Sequence, residues 1–132
     1  MQFASIDHIA LNVGDVDRSL AFYHEVLGLE VERLEEFRAG KVSFPSVRIN
    51  AKTIIDLMPG APISKDGRQP LNHFALSLVN ADLGALRERL LQHEVEIIQE
   101  PHSSWGAQGR ASSMKVHDPD QNLVELKEPT LD

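Results

Sequence analysis

Two histidines and two carboxylates recur at matched places in this chain. His8 and His73 stand in IDHIALNV (6–13) and LNHFALSL (71–78), and Asp56 and Glu125 stand in IIDL (54–57) and LVEL (123–126). Imidazoles with carboxylates make a donor set of borderline hardness, suited to a divalent transition metal such as Zn, Ni, Co, Mn or Fe. In a strand, alternate side chains share a face. His8 then shares one face with Ile6, Ala10 and Asn12, while Ile9, Leu11 and Val13 form the greasier one. His73, Ala75 and Ser77 likewise oppose Phe74, Leu76 and Leu78. Asp56 lies between Ile55 and Leu57, and Glu125 between Val124 and Leu126, again opposite the apolar side. A lone strand histidine is ordinarily structural or exposed, and a strand carboxylate ordinarily solvated. The recurrence of both on the polar face favours a metal site, with Glu125 and Asp56 as the groups able to move a proton.

Other polar residues carry weaker signals. His24 and His93 fall in or near helices, His102 in a loop, and His117 beside the turn Asp118-Pro119-Asp120. Trp105 either lines a pocket for a planar substrate or covers a sheet rim. Asn12, Phe44, Met58, Trp105 and Arg110 are the candidate pocket residues, and Lys115, like Arg110, faces either a cleft or solvent. No phosphate-binding loop, dinucleotide glycine fingerprint, GxSxG elbow or HExxH helix occurs.

The elements that must position these residues follow from periodicity. Residues 5–13 read as a strand. Gly14, Asp15 and Asp17 supply a turn and helix N-cap, and Val16, Leu20, Tyr23 and Leu27 recur at helical spacing before Gly28, a C′ stop. Strands are expected over 29–37, 42–50 (Pro45 marking an edge or bulge) and 53–58, with Ala39-Gly40 as a hairpin turn. The stretch 59–70, rich in proline, is a connector. The pattern then restarts: a strand over 71–79, a helix capped by Asn80 or Asp82 with Leu83, Leu86 and Leu90 on one face, and a short strand over 95–99. A loop (101–109), a strand (110–117), the Asp118-Pro119-Asp120 turn and a last strand (122–127) complete it. The order is strand, helix, three strands, twice. The matches support a duplication: His8 to His73 is an offset of 65, Asp56 to Glu125 one of 69, and LGLEV (27–31) meets LQHEV (91–95) at 64. One domain over 1–132 is expected, built of modules 1–60 and 70–132.

Composition narrows the partners. The chain has 132 residues, 42% hydrophobic and 25% charged, an ordinary globular balance with room for a core. A net charge of −7 disfavours nucleic acid and anionic membrane surfaces. Cysteine is absent, which excludes disulfides, thiolate ligands and cysteine nucleophiles. The first residues lack a basic and then apolar leader, so a cytoplasmic location is expected, and no apolar run is long enough to span a bilayer.

DHIALNVGDVDRSLAFYHEVLGLEV (7–31), NHFALSLVNADL (72–83) and DPDQNLVEL (118–126) resemble the vicinal oxygen chelate superfamily, which holds glyoxalase I, fosfomycin and bleomycin resistance proteins, methylmalonyl-CoA epimerase and extradiol dioxygenases. The resemblance implies an α+β fold of two tandem βαβββ modules forming an incomplete, cupped barrel around one divalent metal. It implies His8, His73 and Glu125 as ligands, with Asp56 at the fourth position, where aspartate is a methylene shorter than the usual glutamate and binds directly, through water, or acts as a base. Glyoxalase I carries an arginine where this chain has Asn12, which weighs against glutathione-dependent glyoxalase activity. The resemblance thus implies a lyase or isomerase acting on a small substrate that chelates through neighbouring oxygens. Its alternatives are an Fe(II) extradiol-type dioxygenase and a non-catalytic binding or resistance protein. It also implies a homodimer, with modules paired within a chain or swapped between chains.

Overall fold

The structure, a computed structural model, describes residues 2, 4–60, 71, 73–79, 82–106 and 109–128. The chain divides into two compact units, Met1–Arg68 and Gln69–Asp132. The connector residues 61–70 and Asn80 lie outside the described residues.

In the first unit, His8–Val13 forms β1, its Leu11 and Val13 buried and His8, Ala10 and Asn12 exposed. Asp15 caps the following helix, its carboxylate accepting from the backbone of Asp17 and Arg18 at 2.9 and 3.2 Å. The helix is not uniform. α1 (Val16–Leu20) passes into a π-helical turn over Ala21–Val26, where the Leu27 amide donates to the Phe22 carbonyl five residues back. Gly28 then ends it with φ +82°, the left-handed geometry that favours glycine.

The expected strand over 29–37 is corrected to β2 (Glu30–Glu32) followed by a short helix, α2 (Leu34–Arg38). Arg33, at φ 63°, turns the chain out of the strand, and Glu35, Glu36 and Arg38 suit the two ends of the helix dipole. Ala39-Gly40 consequently closes a helix and makes no hairpin. The strand expected over 42–50 shrinks to β3 (Ser46–Arg48), beginning after Pro45, and β4 covers Ile54–Pro59. The sheet order is β1-β4-β3-β2, with β1 parallel to β4 and the other pairs antiparallel.

The second unit repeats this order. Phe74–Ser77 is β5, and α3 (Leu83–Gln92) is capped by Asp82, which accepts from the Ala85 amide at 2.6 Å. Leu83 and Leu90 are buried and Leu86 partly so. Of the residues expected as a loop over 101–109, 101–106 instead extend β6 (Ile97–Gly106), paired with β7 (Gly109–His117), and 107–108 lie outside the described residues. Register shifts between Ile97 and His102 accommodate Pro101, which lacks an amide donor, on this edge strand. β8 spans Leu123–Lys127, and the sheet order is β5-β8-β7-β6, with β5 parallel to β8. Both sheets are open, four-stranded and mixed, the tandem βαβββ arrangement.

Candidate functional site

The two units place their candidate residues by the same register. Ala10 pairs with Asp56 across the parallel β1–β4 edge, and Ala75 pairs with Glu125 across β5–β8. Each histidine sits two residues before its alanine, so each unit holds one imidazole and one carboxylate on the face away from its helix. His8 Nε2 lies 3.9 Å from Asp56 Oδ2, and His73 Nε2 lies 3.7 Å from Glu125 Oε1. Both carboxylates are sunk in the sheet, with Asp56 only 7% and Glu125 8% exposed.

Local turns deliver these strands. Asn50 closes the β3–β4 hairpin by accepting from the Lys52 and Thr53 amides at 2.8 and 3.0 Å. Asp118 closes β7–β8, its carboxylate accepting from the amides of Asp120 and Asn122 and from Asn122 Nδ2. An Asx residue thus stands six residues before Asp56 and seven before Glu125, fixing where along the sheet each carboxylate emerges.

Several neighbours escape sequence reasoning. Ser46, the register partner of Asp56, donates its hydroxyl to Asp56 Oδ1 at 2.6 Å. Asp7 lies 2.9 Å from His8 Nδ1, so an Nδ1–H donated there leaves the Nε2 lone pair facing Asp56. That hydrogen bond first, and the Asp56 charge second, raise His8 above its ordinary pKa of 6.5. On the same face, Arg48 grips Glu32 through two bonds of 2.6 and 3.0 Å and holds that carboxyl below its usual range. Counting outward from each hairpin turn would have found Ser46, because it and Asp56 flank the Asn50 turn.

The candidate pocket residues are dispersed. Asn12 is exposed on the His8 face and pairs in register with half-buried Met58. Phe44 stacks beneath the Arg33 guanidinium, 4.6 Å from its ring centre. Trp105, 75% exposed, pairs with Arg110 near the tip of the β6–β7 hairpin. By alternation that pair falls on the side of Met114 and Val116, opposite Lys115 and Glu125. A cavity of about 610 Å³ opens elsewhere in the first unit, beside Leu20, Val31 and Arg33. Val31 alternates away from Glu30 and Glu32, which puts this cavity on the far side of the sheet from His8.

Among the described residues, no three histidine, aspartate or glutamate side chains gather closely enough to hold a metal; each unit offers a pair. Each pair has close to the spacing that two ligands of one ion require. Two ligands at about 2.1 Å from a tetrahedral ion stand roughly 3.4 Å apart, a few tenths of an ångström inside the observed separations. The histidines also present Nε2, and Asp56 is already held by a hydroxyl on its other oxygen.

A repeated βαβββ unit, with a histidine at the start of its first strand and a carboxylate on its last, defines a class of proteins. The chain matches the Glyoxalase/Bleomycin resistance protein/Dioxygenase superfamily over residues 5–126 and belongs to it. Among relatives, it is 34% identical to the lactoylglutathione lyase of Salmonella typhimurium, over 92% of this chain and 90% of that one. It is 28% identical to virulence protein STM3117 of the same species, covering 93% and 83%. Its fold superposes with a TM-score of 0.74 on a variant of the fosfomycin resistance protein FosX from Listeria monocytogenes, at 24% identity and covering 98% and 95%. That protein was solved with Mn(II) and 1S,2S-dihydroxypropylphosphonic acid. No helix among the described residues is long and apolar enough to cross a membrane.

Proposed function

We propose that the protein is a divalent-metal-dependent enzyme of lyase or isomerase type, acting on a small molecule that chelates through two neighbouring oxygens. The observation that carries this reading is the repeated register, which gives each unit one histidine facing one buried carboxylate at 3.7–3.9 Å. His8, His73 and Glu125 are the proposed ligands of one Zn, Ni, Co, Mn or Fe ion, with Asp56 as fourth ligand or base. When bound, the metal supplies Lewis-acid polarisation of substrate oxygens. The neighbour solved with Mn(II) supports that choice of cofactor class. Ser46 keeps Asp56 oriented, and Asp7 sets the tautomer of His8. Burial of Asp56 and Glu125 keeps water from competing for their oxygens.

The alternative readings are an Fe(II) extradiol-type dioxygenase and a non-catalytic binding protein; glutathione-dependent chemistry, which the name of the lactoylglutathione lyase relative carries, is disfavoured for this chain. Asn12 carries no charge to meet a glutathione carboxylate. The protein is proposed to act as a homodimer.

Elemental analysis by mass spectrometry, on protein purified without chelator or affinity tag, tests the site. About one transition metal per chain is expected in the wild type, with loss in Glu125→Ala. Iron would point towards oxygenation of a catechol-like substrate; nickel, cobalt, manganese or zinc would point to isomerase or lyase work. A wild type that stays empty after reloading would overturn the metal reading and favour a binding protein.

A further inference from the structure

The face of the second sheet that carries Glu125 also carries two lysines. The β7–β8 register sets Lys115 beside Glu125 and Lys127 beside Ser113, and alternation keeps residues 125 and 127 on one side. Lys127 is only 7% exposed. Its ammonium reaches over β7 to β6, donating to the Ser104 carbonyl at 2.7 Å and to Ser104 Oγ at 3.2 Å. Ser104 Oγ is in turn 2.7 Å from Ser113 Oγ. Every one of these acceptors is neutral. Among the described residues, no carboxylate comes within 4.0 Å of the Lys127 or Lys115 ammonium. A buried cation without a counterion is costly, and folds keep such a group chiefly where an anion completes it.

The fold itself does not require the charge. The position in the first unit that matches Lys127, two residues after the strand carboxylate, is Met58. The cation is therefore a departure from the repeat, on the side of the molecule that bears His73 and Glu125. The hydrogen-bond directions also leave a donor over. Lys127 spends two of its three ammonium hydrogens on Ser104, whose hydroxyl is braced against fully buried Ser113, and the third ammonium hydrogen remains for a ligand.

We infer that Lys127, held in place by Ser104 and Ser113 and with Lys115 alongside, forms an oxyanion subsite that receives a carboxylate, phosphate or phosphonate group of the substrate. Residues 125 and 127 are two strand steps apart and the ammonium lies across the sheet at Ser104 on β6, so the anionic group sits on the order of 10 Å from the oxygens that approach Glu125. This names the substrate class and so rests on the function proposed above, but the subsite binds anion without the metal.

The test titrates inorganic phosphate into the full chain after chelator treatment, followed by backbone and lysine Cε NMR shifts. Saturable shifts at Ser104, Ser113, Lys115 and Lys127 are expected, with binding weakened about ten- to a hundredfold in Lys127→Met. The methionine is the side chain the first unit carries at this place. Glu125→Ala, which should lose metal, should keep phosphate binding. Wild-type shifts that are absent, unsaturable or centred on Lys41 and Lys52 would overturn the subsite, as would unchanged affinity in Lys127→Met. The wild-type shift map decides the matter even if that variant fails to fold. Intact phosphate binding in a chain that never takes up metal would instead separate failure of the metal reading from failure of this one. A phosphate-bearing or carboxylate-bearing diol that competes with inorganic phosphate would identify the anion as a substituent of the substrate; competition by phosphate alone would restrict the subsite to the free ion and overturn the substrate assignment.

Discussion

Replacing Ser46 with alanine removes one oxygen and nothing else, yet it should destabilise the first unit measurably. The Ser46 hydroxyl donates to Asp56 Oδ1 at 2.6 Å, and both residues are buried, Ser46 at 1% and Asp56 at 7% exposure. A hydrogen bond to a charged group contributes about 1.5–3 kcal/mol. Because Asp56 is poorly placed to recruit water, most of that should be lost. The midpoint of thermal unfolding should fall by roughly 5–15 °C for a chain of this size. Urea unfolding of Ser46→Ala, Asp56→Asn and the double variant completes a cycle, with a coupling of at least about 1 kcal/mol expected. Metal affinity should also fall by about ten- to a hundredfold, the usual effect of removing a group that orients a ligand. A Ser46→Ala cost within about 0.5 kcal/mol, with no coupling to Asp56, would refute the view that this hydroxyl holds the carboxylate in place.

Other consequences are open to direct measurement. In metal-free protein the His8 imidazole should titrate above 6.5 by NMR, and Asp7→Asn should lower its midpoint; a wild-type midpoint at or below 6.5 would contradict the Asp7 contact. Because the folded pKa is raised, the stability linked to His8 is full below 6.5 and is lost as pH rises through the folded value. Proton and metal compete for that ring, so metal uptake should weaken on the acid side. Leu90→Ala, at a fully buried position of α3, should cost about 2–5 kcal/mol in urea unfolding, and a cost below 1 kcal/mol would mean that α3 is not packed as described. Sedimentation velocity should find a dimer, and a clean monomer at micromolar concentration would count against the proposed assembly.

Much of the architecture was legible because it is encoded locally. Asp15 and Asp82 cap their helices through bonds spanning two or three residues, and Gly28 stops the first helix through its own φ. The repeat of His8 on His73 and of Asp56 on Glu125 needed only alternation to place each pair on the face away from the helices. Where two periods fit the same residues, local signals were insufficient. The stretch from Leu29 to Phe37 alternates well enough for a strand, but Arg33 adopts a left-handed turn and the remainder coils into α2. Residues 101–106 read as a polar loop, and they become strand because β7 lies alongside to take their hydrogen bonds.

The chain by itself therefore determined the duplicated plan, the helix ends and the four residues proposed for the metal. Only the tertiary structure decided what surrounds them. Ser46 meets Asp56, Lys115 stands beside Glu125, and Lys127 reaches Ser104 because of strand register, a relation between segments 10 to 23 residues apart. Register arises from closing hairpins whose loops carry Asn50 and Asp118. A shift of one residue would turn each side chain to the opposite face, so no count of residue types along the chain could settle these contacts.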